Sequence, residues 1–367
     1  MLEIRLVNLR KEFKDVVAVR DVNVTFRPSA VTCILGPSGC GKTTLMRLIA
    51  GLETPTAGEV YFDSQPVTQL APSQRRVGMV FQSPVVYKGM TALQNIELPL
   101  SHEKLSAAER RKRIEQVVEI VQLQDVINTN VDQLDTSTCQ KVAVAREVAR
   151  QPEVIMLDEP LTNVDVNVKV QLKLALKELT RGLNKTIIYV THDQNEAMTL
   201  ADRIALMREG AIIQYDDPQL VFNQPSQVFG GWFMGSPGMN FYEMTTNNLE
   251  EAGRLMGVLG TVLLRLPQIG KEQRITVGIR PEHVRALKDA TPSAVKGHII
   301  RKAIVVGGQY LLVIDVNGKP VKAKVDPALG YGLQGEVWVE FPPERVLVFD
   351  EKENRLDIPL SAIKQGL

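Results

Sequence analysis

The segment that decides the fold reads GPSGCGKT over Gly36–Thr43. It follows the short apolar run Val31–Leu35 and precedes a segment with helical spacing of apolar residues that ends before Gly51. A glycine loop between a buried strand and a helix, closed by Lys-Thr, is the pattern of a phosphate-binding loop. In such a loop the backbone N–H groups and the helix N-terminus hold phosphate oxygens, while Lys42 adds a positive charge and the Thr43 hydroxyl can coordinate Mg²⁺. The sequence therefore predicts a nucleotide phosphate site.

Two carboxylates and a histidine follow predicted strands later in the chain. Asp158 and Glu159 end the apolar run Val154–Leu157, and His192 follows the run Thr186–Val190. Because side chains alternate along a strand, the two acids point in different directions, so that one can hold Mg²⁺ and the other can orient water as a general base. Taken alone, such a pair is equally typical of a solvated strand end. Downstream of a phosphate loop the catalytic interpretation is favoured, and parallel sheets bind their ligands at this edge.

The distribution of apolar residues predicts an α/β domain in the first part of the chain. Helices are expected over about 43–50, 105–123, 138–150 and 168–179, between strand-like runs. Continuous apolar strands joined by helices are typical of a mostly parallel sheet with helices on both faces. In the second of these helices one face is apolar, formed by Ile114, Val117, Val118 and Val121.

The pattern changes after about residue 230. The breaker-rich stretches 230–231 and 235–238 predict a linker. Short strand-like pieces without long helices follow, so the C-terminal part is expected to be a small all-β, barrel-like domain. Those pieces are 257–266, 274–279, 299–306, 310–316, 321–325, 337–341 and 346–349.

Composition and charge narrow the classes of function. The 367 residues include 43 basic and 42 acidic ones, a net charge of +1, so bulk charge gives no reason to expect nucleic acid as a partner. No window approaches the roughly 18 consecutive apolar residues of a membrane-spanning helix, and the charged N-terminus lacks the apolar run of a signal peptide. A cytoplasmic location is therefore expected. The three cysteines have no Cys-x-x-Cys spacing and indicate neither a disulfide framework nor a zinc site.

In this order the motifs resemble the ATP-binding-cassette (ABC) ATPase family, and the resemblance covers essentially the whole chain. Gln82, in Val-Phe-Gln-Ser-Pro, resembles the family's Q-loop, which senses Mg²⁺ and contacts the membrane subunits. Residues 158–159 match the Walker B acids with the catalytic glutamate, and residues 161–165 resemble the D-loop that crosses to the partner ATPase. His192 matches the switch histidine.

The resemblance implies an ATPase that uses ATP and Mg²⁺, and it implies a role for each matching residue. Catalytic roles fall on Glu159, His192 and Gln82, and metal contacts fall on Thr43, Gln82 and Asp158. Phe13 stands where the family places an aromatic ring that stacks on adenine, with a core aromatic as the alternative interpretation. The nucleotide contacts so predicted are Phe13, Gly36, Pro37, Ser38, Gly39, Cys40, Gly41, Lys42, Thr43 and Thr44.

Finer features resemble the maltose-type carbohydrate importer ATPases. Residues 86–100 resemble the segment that receives a coupling helix from the permease, and residues 235–241 and 277–282 resemble the linker and regulatory domain. The implied partners are transmembrane permease subunits and, indirectly, a solute-binding protein, at the cytoplasmic face of the membrane. Relatives with this layout also move glycerol, glycerol phosphate, polyols, polyamines or inorganic anions, so the cargo is open.

The resemblance also implies the domain limits. An ABC-type P-loop NTPase domain, with a mixed, mostly parallel sheet, is expected over residues 1–235 and a helical subdomain within it over about 86–152. A C-terminal β-rich, OB-like (TOBE) regulatory domain is expected over residues 236–367. Only one phosphate loop is present, so the chain is not a tandem of two ATPases.

One motif departs from the family. The signature sequence Leu-Ser-Gly-Gly-Gln is replaced over residues 134–138 by Leu-Asp-Thr-Ser-Thr, while the flanking pattern that includes Ala145 and Arg146 fixes the register. In the family this motif binds the γ-phosphate of ATP held by the other subunit of a head-to-tail dimer. Asp135 brings a carboxylate there, and two like unit charges about 4 Å apart repel by roughly 4 kcal/mol at an effective dielectric of ~20. Asp135 is also a good helix N-cap, which would place its own anion where the phosphate belongs.

This departure predicts a heterodimer with a second, related ATPase whose signature is intact. The alternatives are a nucleotide-binding regulatory subunit with little turnover and a homodimeric importer ATPase for a non-sugar solute. A non-transport ABC ATPase that acts on DNA or ribosomes is disfavoured, because the chain has neither a long coiled-coil insertion nor a second cassette.

Overall fold

The computed structural model describes residues 2–162, 169, 170, 174, 185–245, 274–305 and 307–358. The chain separates into two compact units, Met1–Gln219 and Leu220–Leu367. In the described part of the chain no helix has both the length and the apolar character needed to cross a membrane. The domain limits at residue 235 and the helical subdomain over 86–152 stay predictions.

The strands are β1 Ile4–Phe13, β2 Val16–Phe26, β3 Val31–Leu35, β4 Ala57–Phe62, β5 Gln65–Pro66, β6 Val77–Val80, β7 Val154–Asp158, β8 Thr186–Thr191, β9 Arg203–Arg208, β10 Ala211–Asp216, β11 Asn240–Thr245, β12 Arg274–Ile279, β13 Arg285–Leu287, β14 Val295–Ile304, β15 Tyr310–Val316, β16 Lys319–Val325, β17 Glu336–Glu340, β18 Leu347–Phe349 and β19 Arg355–Leu356. The α-helices are α1 Lys42–Ala50, α2 Ala92–Glu97, α3 Ala107–Val121, α4 Thr136–Ala149, α5 Gln194–Leu200, α6 Pro218–Asn223, α7 Val228–Phe233 and α8 Pro327–Gly332. Short 3-10 turns lie at Pro72–Gln74, Leu98–His102, Gln124–Val126, Val131–Gln133 and Pro343–Arg345.

The first unit is built on a sheet in the order β10-β9-β3-β8-β7-β6. Strands β3, β6, β7, β8 and β9 run parallel, and β10 adds antiparallel to β9. Every residue of β3, β7 and β8 is buried, as their continuous apolar sequences predict for strands covered on both faces. A second, antiparallel sheet has the order β2-β1-β4-β5. The predicted α/β class is confirmed.

Register in the parallel sheet brings the predicted functional strand ends side by side. Leu35, just before the phosphate loop, pairs with Thr191, just before His192. Asp158 pairs with Val190 on the other side of the same strand. Three segments that are far apart in sequence therefore end at one edge of the sheet.

The helices begin and end where local chemistry dictates. Helix α1 ends at Gly51, which takes the left-handed conformation with φ 80°. Helix α3 has a capping box at its start and buries the apolar face predicted for it. Helix α4 begins at Thr136, two residues before the predicted start, because Asp135 caps it. The helix predicted over 168–179 lies outside the described residues, except for residues 169, 170 and 174, which are helical.

Arg75 holds the C-terminal end of helix α1. Its guanidinium is buried, and Nη1 donates hydrogen bonds to the carbonyl oxygens of Leu48 and Ile49, each at 2.8 Å. Nε and Nη2 donate to the carbonyl oxygens of Leu70 and Thr68. A cation at this position complements the partial negative charge of a helix C-terminus. The phosphate-loop helix is thus anchored from its far end.

The described part of the second unit contains two antiparallel sheets, β11-β12-β18-β19 and β13-β17-β14-β15-β16, and short helices. Their strands confirm the predicted all-β character, and six of the seven predicted pieces correspond to strands β12, β14, β15, β16, β17 and β18. The seventh, 257–266, lies outside the described residues. The hydrophobic core of the second unit contains Val277, Ile314 and Val339, all fully buried.

The predicted linker is wrong at residues 230–231, which lie inside helix α7. A Cβ on Gly231 would come within 2.5 Å of Sδ of Met239 and 2.8 Å of the Phe241 ring. Glycine is therefore required here because the helix packs closely on strand β11, and not because the chain is irregular.

Candidate active site

The phosphate loop needs a glycine at position 41. Gly41 has φ 103°, and a Cβ there would lie 2.1 Å from the carbonyl oxygen of Ala18. The side chain of Lys42 is buried, and its Nζ donates to the carbonyl oxygens of Gly36 at 3.0 Å and Pro37 at 2.9 Å. The ammonium group is therefore held inside the loop, where a phosphate oxygen would meet it.

The two acids at the end of β7 point in different directions, as predicted. Asp158 is buried and accepts a hydrogen bond from Oγ1 of Thr43 at 3.0 Å. Burial is the main cause that raises the pKa of Asp158. Glu159 has φ 44°, a left-handed conformation that is uncommon outside glycine and turns its side chain away from the strand. Such backbone strain is frequent at functional sites.

Four side chains gather around the carboxylate of Glu159. Its Oε2 lies 3.1 Å from Nδ1 of His192 and accepts hydrogen bonds from Thr162 at 3.2 Å and Gln82 at 3.4 Å. Its Oε1 lies 4.0 Å from Nζ of Lys42. The predicted catalytic residues Gln82, Glu159 and His192 are thus brought together. Thr162 was predicted only as part of the D-loop segment, 161–165, and not as a partner of Glu159.

A cavity of about 570 Å³ opens over the loop. Of the predicted site residues, 38–44, Gln82 and Glu159 line it, and residues 16–18, 20, 209 and 210, which were not predicted, complete the lining. Val16 to Ala18 belong to strand β2 and give one wall an aliphatic surface suited to a nucleoside.

Phe13 lies beside this cavity rather than in its lining. It pairs with Val16 across the turn between β1 and β2, and its side chain is 43% exposed. The ammonium group of Lys11 lies 4.7 Å from the ring centroid. The exposure rules out the core-aromatic alternative, and the Lys11 ammonium group covers one face of the ring.

The residues predicted to hold Mg²⁺ fit that ion. The Thr43 hydroxyl and the Asp158 carboxylate lie within 3.0 Å of each other, and Gln82 lines the same cavity. Hard oxygen ligands in small number suit Mg²⁺, which takes the rest of its shell from phosphates and water. When bound, an ion held by Thr43, Asp158 and Gln82 would neutralise the charge that develops on the phosphate oxygens.

Comparison with known proteins identifies the family. The model of the ABC transporter family matches residues 19–162, and the TOBE domain model matches residues 277–349. The trehalose/maltose import ATP-binding protein MalK of Thermococcus litoralis is 35% identical, over 96% of this chain and 98% of that protein. The chain belongs to the ABC transporter ATP-binding family.

Further similar proteins place this ABC ATPase among the maltose-type importer subunits. The sn-glycerol-3-phosphate import ATP-binding protein UgpC of Bordetella avium is 36% identical, over 78% of this chain and 79% of that protein. A dimeric ATP-binding cassette solved in a post-hydrolysis state with ADP and Pi is 31% identical, with a TM-score of 0.54 over 59% of this chain and 98% of that one. The protein is an ATPase with ATP and Mg²⁺ as its cofactors.

The degenerate signature of this ABC ATPase is an N-cap. Oδ1 of Asp135 accepts a hydrogen bond from the backbone N–H of Thr138 at 2.9 Å, and Oδ2 accepts one from the Thr138 hydroxyl at 2.7 Å. These two hydrogen bonds, the hydroxyl first, lower the pKa of Asp135. The N-cap interpretation is confirmed, since a carboxylate of this chain occupies the N-terminus of helix α4.

Proposed function

We propose that this ABC ATPase powers an importer of sugars or related polyols, and that Glu159 is its general base. The observation that carries the catalytic assignment is the convergence of Lys42, Gln82 and His192 on the Glu159 carboxylate. A base must lie within hydrogen-bonding reach of the water that it activates, and Glu159 lines the cavity over the phosphate loop.

The proposed reaction is an in-line attack of water on the γ-phosphorus of ATP. Glu159 accepts a proton from the water as the new P–O bond forms and the bond to the bridging oxygen breaks, which releases ADP and phosphate. Lys42 stabilises the charge on the phosphate oxygens, while His192 and Gln82 hold Glu159 and the water in place. The loop residues 36–44 bind the phosphates, and the Phe13 ring stacks on adenine.

The cargo proposal rests on the relatives and on the second unit. Two relatives named above import trehalose/maltose and sn-glycerol-3-phosphate, and the first aligns with both units of this chain. All such cargoes are small and hydroxylated. A sugar or polyol is therefore the proposed class of solute, delivered to the permease by a solute-binding protein.

We propose that residues 86–100 bind the permease at the cytoplasmic face of the membrane. Tyr87 is 48% exposed, and Val85, directly before the segment, is 49% exposed. The segment is nevertheless held firmly, because the buried side chain of Asn95 accepts from Tyr87 N at 2.7 Å and donates to the carbonyl oxygens of Tyr87 and Thr91. A rigid loop with exposed apolar side chains suits docking onto a partner.

The pairing with a second ATPase is a proposal from residues 134–138 alone. The names of the similar proteins give it no support. It rests on the Asp135 carboxylate, which occupies the helix N-terminus where the family binds a γ-phosphate from the other subunit. Each ATP held by this chain would then be completed by an intact signature from a different chain.

Glu159→Gln tests the ATPase proposal in the transporter assembly purified through a tag on this chain. We expect ATP affinity to stay within about threefold and turnover to fall by at least roughly 100-fold, since the amide cannot accept the proton. Glu153→Gln, at a half-exposed glutamate at the other end of β7, is the matched control. Undiminished hydrolysis by Glu159→Gln would contradict the assignment, and no hydrolysis by the wild type would favour the regulatory subunit.

Two further measurements test the partners and the cargo. Robust hydrolysis of MgATP by the chain alone, abolished by Glu159→Gln, would contradict the proposed pairing with a second ATPase.

Uptake of labelled trehalose, maltose and glycerol 3-phosphate is compared in cells that carry wild type or Glu159→Gln. Loss of uptake of one of these solutes supports the cargo class, whereas loss confined to an unrelated solute overturns it.

A further inference from the structure

A buried carboxylate lies four residues after His192. Glu196 is 3% exposed, in the first turn of helix α5. Its Oε2 accepts hydrogen bonds from Oη of Tyr189 at 2.7 Å and Oγ1 of Thr191 at 2.8 Å. Its Oε1 forms an ion pair with Nζ of Lys169 at 2.8 Å. A buried charge is tolerated when it is paired and hydrogen-bonded in this way.

The groups bound by this carboxylate flank His192. Tyr189 and Thr191 belong to strand β8, and each is 1% exposed. Burial, followed by the charge of Glu196, raises the pKa of Tyr189, so its hydroxyl stays a neutral donor. Oγ1 of Thr191 also accepts a hydrogen bond from N–H of Asp193 at 3.0 Å. The residues before and after His192 are therefore fixed through one carboxylate.

The side chain of His192 is itself largely exposed. Its imidazole is 48% exposed and touches Glu159 at 3.1 Å through Nδ1. An exposed ring is oriented mainly by the backbone that carries it. An error of about 1 Å in such a catalytic contact can lower turnover on the order of 100-fold.

Lys169, the cation that pairs with Glu196, lies close in sequence to the predicted D-loop. Lys169 stands four residues after the predicted D-loop, 161–165, and also lies 3.5 Å from Oδ2 of Asp193. The ammonium group of Lys169 therefore links the chain that follows the D-loop to Asp193 and Glu196, the two acids that follow His192.

We infer that Glu196 is a positioning residue for His192 and that Lys169 is its counter-ion, which ties the segment after the D-loop to the His192 backbone. This inference rests on the proposed role of His192 at Glu159. The pair makes no contact with Glu159 itself and acts through the geometry of residues 191–193.

The test uses Lys169→Met, Lys169→Arg and Glu196→Gln. In the transporter assembly we expect Lys169→Met and Glu196→Gln to lower kcat roughly 10- to 100-fold with the KM for ATP changed by less than about threefold. Lys169→Arg keeps the charge and should recover most of the lost turnover. Arg113→Met, which removes an ion pair to Glu103 at 3.1 Å and changes a cation whose exposure is similar to that of Lys169, is the control.

A second readout does not depend on turnover. In the full-length chain with labelled histidine, the Hε1 resonance of His192 is assigned with His192→Gln. We expect Lys169→Met to shift it and Lys169→Arg to leave it near its wild-type position. The inference would be overturned if folded Lys169→Met kept the wild-type kcat or left the His192 resonance unmoved. Because Lys169→Met provides this test by itself, the result does not depend on whether Glu196→Gln folds. If His192→Gln leaves kcat unchanged, the proposed role of His192 fails, while the resonance still reports whether Glu196 positions the ring.

Discussion

The carboxylate of Asp135 binds both the backbone N–H and the side-chain hydroxyl of Thr138, at 2.9 and 2.7 Å. This pair closes the N-terminus of helix α4 from within the chain. Helix N-termini attract anions because their first N–H groups lack intrahelical partners and the helix dipole is positive there. In this ABC ATPase the site is filled by an anion of its own, so under the proposed pairing a phosphate from a facing subunit would meet a negative charge.

Removal of that charge should restore activity to the chain paired with itself. Asp135→Asn keeps an N-cap side chain without the charge, and Asp135→Ser brings back the hydroxyl of the family signature. We expect each variant to raise ATP hydrolysis by the purified chain at least about tenfold, because a like-charge repulsion of a few kcal/mol is relieved. Asp125→Asn, at an exposed acid nearby, is the control. If all three variants match the wild type, the Asp135 charge does not limit turnover.

The same cap gives a pH dependence of stability. The pKa of Asp135 is lowered in the folded chain from its ordinary value of 3.8, so the ionised cap stabilises the folded state above that value. This contribution is lost as pH falls through the lowered folded pKa. Urea unfolding of wild type and Asp135→Asn should therefore differ by a constant amount from pH 7 to about 5 and converge at lower pH. A difference that does not change down to pH 3 would show that the charge adds nothing to the cap.

Much of the first unit could be predicted because its signals are local. Apolar runs such as Val154–Leu157 specify buried strands, and the phosphate loop specifies strand, turn and helix at once. The catalytic roles of Gln82, Glu159 and His192 were predicted from the family's motifs. The residues alone could not give the distances, since these depend on register between β3, β7 and β8.

The failures have a common cause in tertiary packing. Glycines at 230–231 suggested a linker, but a glycine is needed at position 231 because Met239 packs too closely on the helix to leave room for a Cβ. The role of Glu196 was missed because it depends on burial and on Lys169, a partner distant in sequence. The contact of Thr162 with Glu159 was missed because a hydroxyl three residues after an acid does not by itself specify a hydrogen bond. Local propensity carries no information about either.

We expect the protein to lose stability when the guanidinium group of Arg75 is removed. Arg75→Met leaves the carbonyl oxygens at the end of α1 without their donor, and we expect a decrease in the free energy of unfolding of about 2–4 kcal/mol. Arg75→Lys should recover only part of it, because an ammonium group cannot reproduce the planar fork. Chemical denaturation measures both. The adjacent Arg76→Met, at a side chain 79% exposed, should change stability by less than about 0.5 kcal/mol and is the control. Equal losses at the two positions would show that the helix C-terminus does not need Arg75.

Phe13 predicts a loss of ATP affinity without a loss of stability. The ring is 43% exposed at the turn between β1 and β2, so Phe13→Ala removes little buried surface. If the ring stacks on adenine, ATP should bind roughly tenfold more weakly to Phe13→Ala, which corresponds to about 1.4 kcal/mol, and Phe13→Trp should bind at least as well as wild type. Equilibrium binding measured by calorimetry, beside thermal unfolding, separates the two effects. Tyr331→Ala, at an aromatic side chain 78% exposed in the second unit, is the control. Unchanged ATP affinity in Phe13→Ala would instead indicate that adenine contacts the aliphatic wall formed by Val16 to Ala18, because that surface lines the cavity over the phosphate loop.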